Sequence, residues 1–220
     1  MDNSKILTIV GMGEGISMSI ARKFGKQGFT IAMISRSDEK LNHYQKKLHR
    51  DKVEAYYYIA DVSDSDQLTS SLAYIYESLG PTDVLIYNAA AVREVDLMTM
   101  DEEDLVMDFR VNTLGALTAT RAVVNQMKDQ GGGKIFFTGG GLSLHPNPKY
   151  GSLAIGKAGL RNLTYSLHEQ LEPLNIHVAT VTVNGFVNES DDKYHPDAVA
   201  EQFWKLYEQS AEAAEAEIIY

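Results

Sequence analysis

The chain is predicted to fold as a three-layer α/β/α domain built on a doubly wound parallel sheet, and three observations predict it. Short apolar runs alternate with longer amphipathic ones from end to end, the pattern of strand and helix units that build parallel sheets. Several runs, such as VLIY at 84–87 and KIFFT at 134–138, are continuously apolar, which suits strands covered by helices on both faces. A Gly-rich turn also follows the first run and opens a helical pattern. With 220 residues and 44% hydrophobic content, the chain is long enough for one well-buried domain and short for two. Residues 1–220 are therefore expected to form a single domain.

Strands are expected at 5–10, 29–35, 53–59, 83–88, 134–138 and 176–183, with a seventh at 217–219. Helices are expected near 16–27, 38–49, 64–79, 102–128, 151–172 and 197–208. The glycines at 131–133 read as the end of one helix and the turn into the next strand. Phe203, Trp204 and Tyr207 fall on one helical face or its edge, which points to packing against the sheet.

Composition excludes several classes. Thirty acidic against twenty basic residues give a formal charge of -10, a sign that repels a phosphate backbone, so nucleic acid is not an expected partner. The chain has no cysteine, which removes disulfides, thiolate metal sites and a cysteine nucleophile. His43, His49, His145, His168, His177 and His195 are scattered, none at helical ligand spacing from another, and no metal is expected. No apolar run approaches the ~20 residues that cross a bilayer, and the start of the chain lacks the pattern of a signal peptide. The expectation is a soluble, cytoplasmic protein without membrane contact.

The turn reads Gly11-Met12-Gly13-Glu14-Gly15-Ile16-Ser17 and leads into a helical pattern through Ala21 and Phe24. Strand, glycine turn and helix in this order let backbone N–H groups and the positive helix terminus meet a pyrophosphate. Such a turn alone also serves as a plain connection, so its neighbours decide. Ser35-Arg36-Ser37 closes the second strand, Ala60-Asp61-Val62 follows the third, Tyr87-Asn88-Ala89-Ala90 follows the fourth, and Asn112-Thr113-Leu114-Gly115 lies inside the long fourth helix. Asn and Gly are locally unfavourable in a helix interior, a violation more often kept for a site than for stability.

With these landmarks the chain resembles a short-chain dehydrogenase/reductase over nearly its whole length, and the resemblance implies a Rossmann fold with strand order 3-2-1-4-5-6. It implies that Gly11, Gly13, Gly15 and Ile16 bind the pyrophosphate side of a nicotinamide dinucleotide, with Val10 and Ser17 standing where the family has Thr and Gly. It implies that Asp61 and Val62 meet the adenine and that Asn88 and Ala89 border the cofactor. Arg36 stands where the family holds a 2′-phosphate, which favours NADP(H) over NAD(H), although Glu14 occupies a position often basic in members that use NADP. A homodimer or homotetramer through the fourth and fifth helices is likewise an implication of the resemblance.

The same resemblance exposes a gap. The family reduces carbonyls with Ser, Tyr, Lys and Asn, and here Lys157 and Asn112 match while the serine and tyrosine positions are Gly140 and Leu153. Losing a positioned general acid typically costs ~10²- to 10⁴-fold in rate. Tyr150, nominally two turns before Lys157 and ~10 Å along the axis, together with Thr138, Ser143, His145 and Ser152, is the remaining source of a proton donor. His145-Pro146-Asn147-Pro148 also reads as a rigid loop, Lys157 as a partly exposed helix lysine, and Leu153 as part of an apolar stripe with 160, 163, 167 and 171. Three functions stay open: an atypical NADP(H)-dependent oxidoreductase acting on a small carbonyl or alcohol, a dinucleotide-binding sensor or partner subunit without turnover, and a non-redox enzyme that reuses the pocket.

Overall fold

The computed structural model describes residues 4–220. Seven strands, β1 (Ile6–Val10), β2 (Thr30–Ser35), β3 (Ala55–Ile59), β4 (Val84–Tyr87), β5 (Gly133–Gly140), β6 (Ile176–Val183) and β7 (Glu217–Ile219), form one sheet in the order β3-β2-β1-β4-β5-β6-β7. Every pairing is parallel, with Ile9 opposite Met33 on one side and Ile86 on the other. The chain runs outward from β1 to β3, then restarts beside β1 at β4 and runs the other way. That reversal opens a crevice at the carboxyl ends of β1 and β4, where sheets of this kind hold ligands.

Pleating sorts the side chains into two cores. Leu7, Ile9, Met33, Ile86 and Phe136 face helices α1 (Ile16–Gly25), α2 (Asp38–Arg50) and α7 (Pro196–Glu208). Val10, Ile34, Leu85, Tyr87 and Phe137 face α3 (Ser65–Leu79), α5 (Gly115–Asp129) and α6 (Gly151–Leu171). Because both faces are covered, neighbouring strand residues are equally buried, which is why these strands lack polar alternation. Phe24 is fully buried with its ring edge-on to Phe29, Trp204 and Tyr207 at 5.2, 5.0 and 5.6 Å. Burying such a side chain stabilises by roughly 1.5–3 kcal/mol. The aromatic group of α7 therefore locks that helix onto α1 as well as onto the sheet.

The helix expected at 102–128 is continuous in space but not uniform. It runs as α4 (Glu102–Phe109), one π turn (Arg110–Leu114) and α5. A π turn carries an extra residue, which re-aims the side chains around it and is frequent at functional sites. Helix α3 begins at a side-chain cap. Asp64 is the N-cap, accepting from the backbone N–H of Asp66 and Gln67 at 3.0 and 3.1 Å, while Ser63 is bonded to Asp61. No helix among the described residues is long and apolar enough to cross a membrane, and no group of three His, Asp or Glu there is placed to hold a metal.

At the amino-terminal end of β6, away from the crevice, His177 is buried with its ring edge-on to Phe136 and His168. One ring nitrogen, Nε2, is 2.9 Å from the Glu215 carbonyl and donates to it, while Nδ1 has no partner among the described residues. Burial, with Lys134 and His168 nearby, holds its pKa down at about 4 against an ordinary 6.5. A histidine depressed in this way leaves stability intact above pH 6.5. Below that the unfolded chain takes up a proton that the folded one refuses, and stability falls until the folded ring titrates near 4. The expected loss across that window is roughly 2–3 kcal/mol. In urea midpoints measured against pH, His177→Phe should start about 1 kcal/mol less stable at neutral pH, having orphaned the Glu215 carbonyl, and should show a shallower acid slope; an unchanged slope would refute the assignment.

Candidate active site

The crevice is lined first by the glycine turn. Gly11 has φ +89, and a side chain there would collide with the Ala89 backbone beyond β4. Only glycine allows the turn to cross the end of β4 this closely. The N–H groups of Gly11 and Met12 both donate to the Ile34 carbonyl, at 2.9 and 3.0 Å. Ser17 Oγ accepts the Gly13 N–H at 2.8 Å, so this serine ties the turn to α1. The N–H groups of Ile16 and Ser17 precede the first intrahelical acceptor, and the space where a Gly15 side chain would stand is empty to 4 Å. An open N-terminus behind a side-chain-free turn fits a pyrophosphate.

Two polar clusters flank this turn. Arg36, at the end of β2, is largely exposed, and its guanidinium lies 3.9 Å from the Asp61 carboxylate. Asp61 in turn accepts from the N–H and hydroxyl of Ser63 at 2.9 and 2.7 Å, which fixes its orientation. Ser37 caps α2 directly after Arg36, accepting from Lys40 N–H at 3.3 Å. Glu14 is ion-paired with Lys47 of α2, a partner the sequence did not disclose because it lies 33 residues away.

Beyond β4, Asn88 bridges three elements. Its amide donates to the Gly11 carbonyl at 3.1 Å and its oxygen accepts from the Thr138 hydroxyl at 2.8 Å. Asn112, on the π turn, is fully buried and clamps the next loop by accepting from Ala91 N–H at 2.7 Å. The neighbouring Thr113 hydroxyl donates to the Gly156 carbonyl at 2.9 Å, and the Tyr87 hydroxyl donates to Val111 at 2.6 Å. Both oxygens of the buried Asp108 carboxylate are engaged in the same region, by Arg93 at 2.5 Å and Ser152 at 2.7 Å.

Lys157 is only 7% exposed, so the reading of a partly exposed helix lysine does not hold. Its ammonium donates to the Thr138 carbonyl at 2.6 Å, and burial lowers its pKa to about 8. Around it opens a cavity of about 600 Å³ lined by Ile16, Asn88, Val92, Leu142, Leu153 and Phe186. Leu153 is thus cavity wall, while Leu160, Leu167 and Leu171 continue its stripe into the core.

The candidate proton donors fare unequally. Tyr150 begins α6 and touches the cavity, but its hydroxyl donates to Glu94 at 3.1 Å and that bond pushes the phenol up. Ser152 is buried against Asp108, and the Ser143 hydroxyl donates to the Gly140 carbonyl. Thr138 is committed to Asn88. His145 lines the cavity from an exposed loop. Gly11, Gly13, Gly15, Ile16, Asn88, Ala89 and Lys157 meet around the crevice between β1 and β4, with Arg36, Asp61 and Val62 at its β2 and β3 side. Asn112 stands behind the wall and touches it through Ala91.

The model of the short chain dehydrogenase family matches residues 5–197. Over 178 residues the chain is 30% identical to a 2,3-dihydro-2,3-dihydroxybenzoate dehydrogenase of Bacillus subtilis, covering 81% of this chain and 68% of that one. It is 29% identical over 183 residues to a 3-oxoacyl-(acyl-carrier-protein) reductase of Thermotoga maritima, covering 83% and 74%. A short-chain dehydrogenase of Rhodopseudomonas palustris superposes with a TM-score of 0.88 at 27% identity, over 98% of this chain and 97% of that one. A metagenomic short-chain oxidoreductase solved in complex with NADP superposes with a TM-score of 0.90 at 24% identity, over 98% and 96%, which speaks to the fold. The glycine turn, the Asn88 bridge and the buried Lys157 thus lie in a chain that belongs to the short-chain dehydrogenase family.

Proposed function

We propose that the whole chain acts as one dinucleotide-binding domain that takes NADP(H) in preference to NAD(H) and serves an oxidoreductase function on an apolar carbonyl or alcohol, with a degenerate proton-delivery site. The observation that carries this reading is that Ile16, next after the glycine turn, lines one apolar cavity with Lys157 and with Asn88, whose amide donates to the Gly11 carbonyl. A bound dinucleotide supplies the hydride. On this reading Gly11, Gly13, Gly15 and Ile16 cradle its pyrophosphate, Asp61 and Val62 border the adenine, and Lys157 holds the nicotinamide ribose. Asn88 and Ala89 shape the wall between turn and cavity, and Asn112 keeps the Ala91 loop in place. A cytoplasmic location belongs to the same reading.

The preference for NADP(H) rests on charge. Arg36 is exposed where a 2′-phosphate would arrive, and Lys47 offsets the carboxylate of Glu14 that would otherwise repel it. Titration of the purified protein with NADPH and NADH should show tighter binding of NADPH, an advantage that Arg36→Ala reduces by about 1–2 kcal/mol. Lys157→Ala should weaken both. Equal affinity for the two dinucleotides, or binding of neither, would overturn the assignment.

On this reading Gly140 and Leu153 take the places of a hydroxyl and a phenol, and ordinary ketone reduction is expected to be slow. The fold leaves room to restore them. Gly140 has extended backbone, and a Cβ there would only touch Lys157 at 3.8 Å. Leu153 opens into the cavity. The double variant Gly140→Ser, Leu153→Tyr should raise NADPH oxidation with a panel of apolar ketones by at least ~10²-fold. A wild-type rate already equal to that of the double variant would refute the degenerate site. A second reading, a dinucleotide sensor without turnover, is favoured by the occupied hydroxyls of Tyr150 and Ser152, and full NADPH binding with no oxidation of any substrate would select it.

Assembly as a homodimer or homotetramer through α4 and α6 is supported by Val106, Met107, Leu114 and Ile155, apolar side chains roughly 40–50% exposed on that side. Light scattering should give a dimer or tetramer for the wild type and a monomer for Met107→Glu, Ile155→Glu. A monomeric wild type would remove the proposal.

A further inference from the structure

The cavity contains one buried amine, and the surroundings of that amine are unusual for a lysine. The stem of Lys157 runs past Gly140, where a Cβ would lie 3.8 Å from its Cγ, Cδ and Cε, so no side chain from β5 covers it. One helical turn earlier, Leu153 presents hydrocarbon to the same space, and Ile16, Val92, Leu142, Val183, Phe186 and Val187 extend the apolar wall. Its hydrogen bond goes to a neutral carbonyl, that of Thr138 at 2.6 Å, and no carboxylate or phenol among the described residues pairs with it. Burial lowers its pKa to about 8, so near that pH about half of it is the free amine while ordinary lysines stay protonated.

A neutral amine has two N–H bonds and one lone pair. One N–H can remain on the Thr138 carbonyl, which leaves the lone pair for the cavity. We propose that Lys157 is a nucleophilic amine that captures apolar aldehydes in this cavity as an imine, an activity separate from hydride transfer and independent of the dinucleotide reading. The nitrogen lone pair forms the new C–N bond while the carbonyl π pair moves onto oxygen, which takes up a proton as nitrogen loses one. The resulting carbinolamine then expels its oxygen as water, the second nitrogen proton leaves, and the C=N bond forms. One water is released for each imine, no electrons are gained or lost, and no further reactant is required. The apolar wall holds the hydrocarbon tail.

The test is reductive trapping. Wild-type protein is treated with octanal or 2-naphthaldehyde and cyanoborohydride near pH 8, the pKa of this lysine, and its peptides are mapped by mass spectrometry. Lys157 should gain one alkyl group about tenfold faster than any other lysine. Lys157→Arg should lose that fast label while the slow labelling of surface lysines is unchanged. Because the wild-type map identifies the modified residue directly, the outcome does not depend on the variant folding. An unlabelled Lys157, or labelling no faster than at surface lysines, overturns the proposal. Parallel NADPH titration separates the two readings: NADPH binding without fast labelling sinks the capture alone, and fast labelling without NADPH binding sinks the dinucleotide reading alone.

Discussion

Helix α6 reaches the π turn because Gly156 has no side chain where the Cβ of Asn112 comes in. Any larger residue there would push α6 away from α4 and α5, and the Thr113 hydroxyl would lose the Gly156 carbonyl. Once seated, α6 has its register set. Lys157 is directed past Gly140 to the end of β5, Leu153 faces the cavity, and Ser152 meets Asp108 on α4. The same π turn holds Asn112 against Ala91, so one backbone contact positions both the lysine and the loop across the cavity from it.

The charges around this contact are arranged to leave the cavity nearly neutral. Asp108 is buried, but Arg93 and Ser152 saturate it outside the cavity wall. Glu217, on β7, is held below the usual carboxylate range by hydrogen bonds from Arg161, Thr182 and Tyr165, which outweigh the cost of its burial. A buried carboxylate with three donors is fully satisfied and has no reason to seek the lysine. Lys157 is therefore a buried cation beside a carbonyl dipole, and desolvation without a counter-charge drives its pKa down.

Much of the architecture was legible in the sequence because strand burial and helix amphipathicity repeat at fixed periods. All seven strands and the helical regions lie where the patterns place them, with β5 running on to Gly140 and β3 beginning at Ala55. The π turn was not legible as such: Asn112 and Gly115 marked a local conflict, but an extra residue per turn has no composition of its own. The Glu14–Lys47 and Arg93–Asp108 pairs join elements distant in the chain, and no periodicity reports them. The burial of Lys157 was hidden for the same reason, since Gly140 and the Thr138 carbonyl reach it from β5 rather than from its own helix.

Gly140 and Leu153 shape the surroundings of Lys157 together. A serine at 140 would hydrogen-bond a carbonyl and a tyrosine at 153 would feed it a proton, and both would also place polar atoms beside the Lys157 stem. With glycine and leucine there, the crevice is polar from Gly11 to Asn88 and largely apolar around Lys157. An apolar pocket positions ligands by shape and gives little angular control over a carbonyl. It also desolvates the buried amine, which lowers the pKa of Lys157 to about 8. Neither Gly140 nor Leu153 carries a side-chain proton to deliver, so the buried titratable atom that lines the cavity is the Lys157 nitrogen.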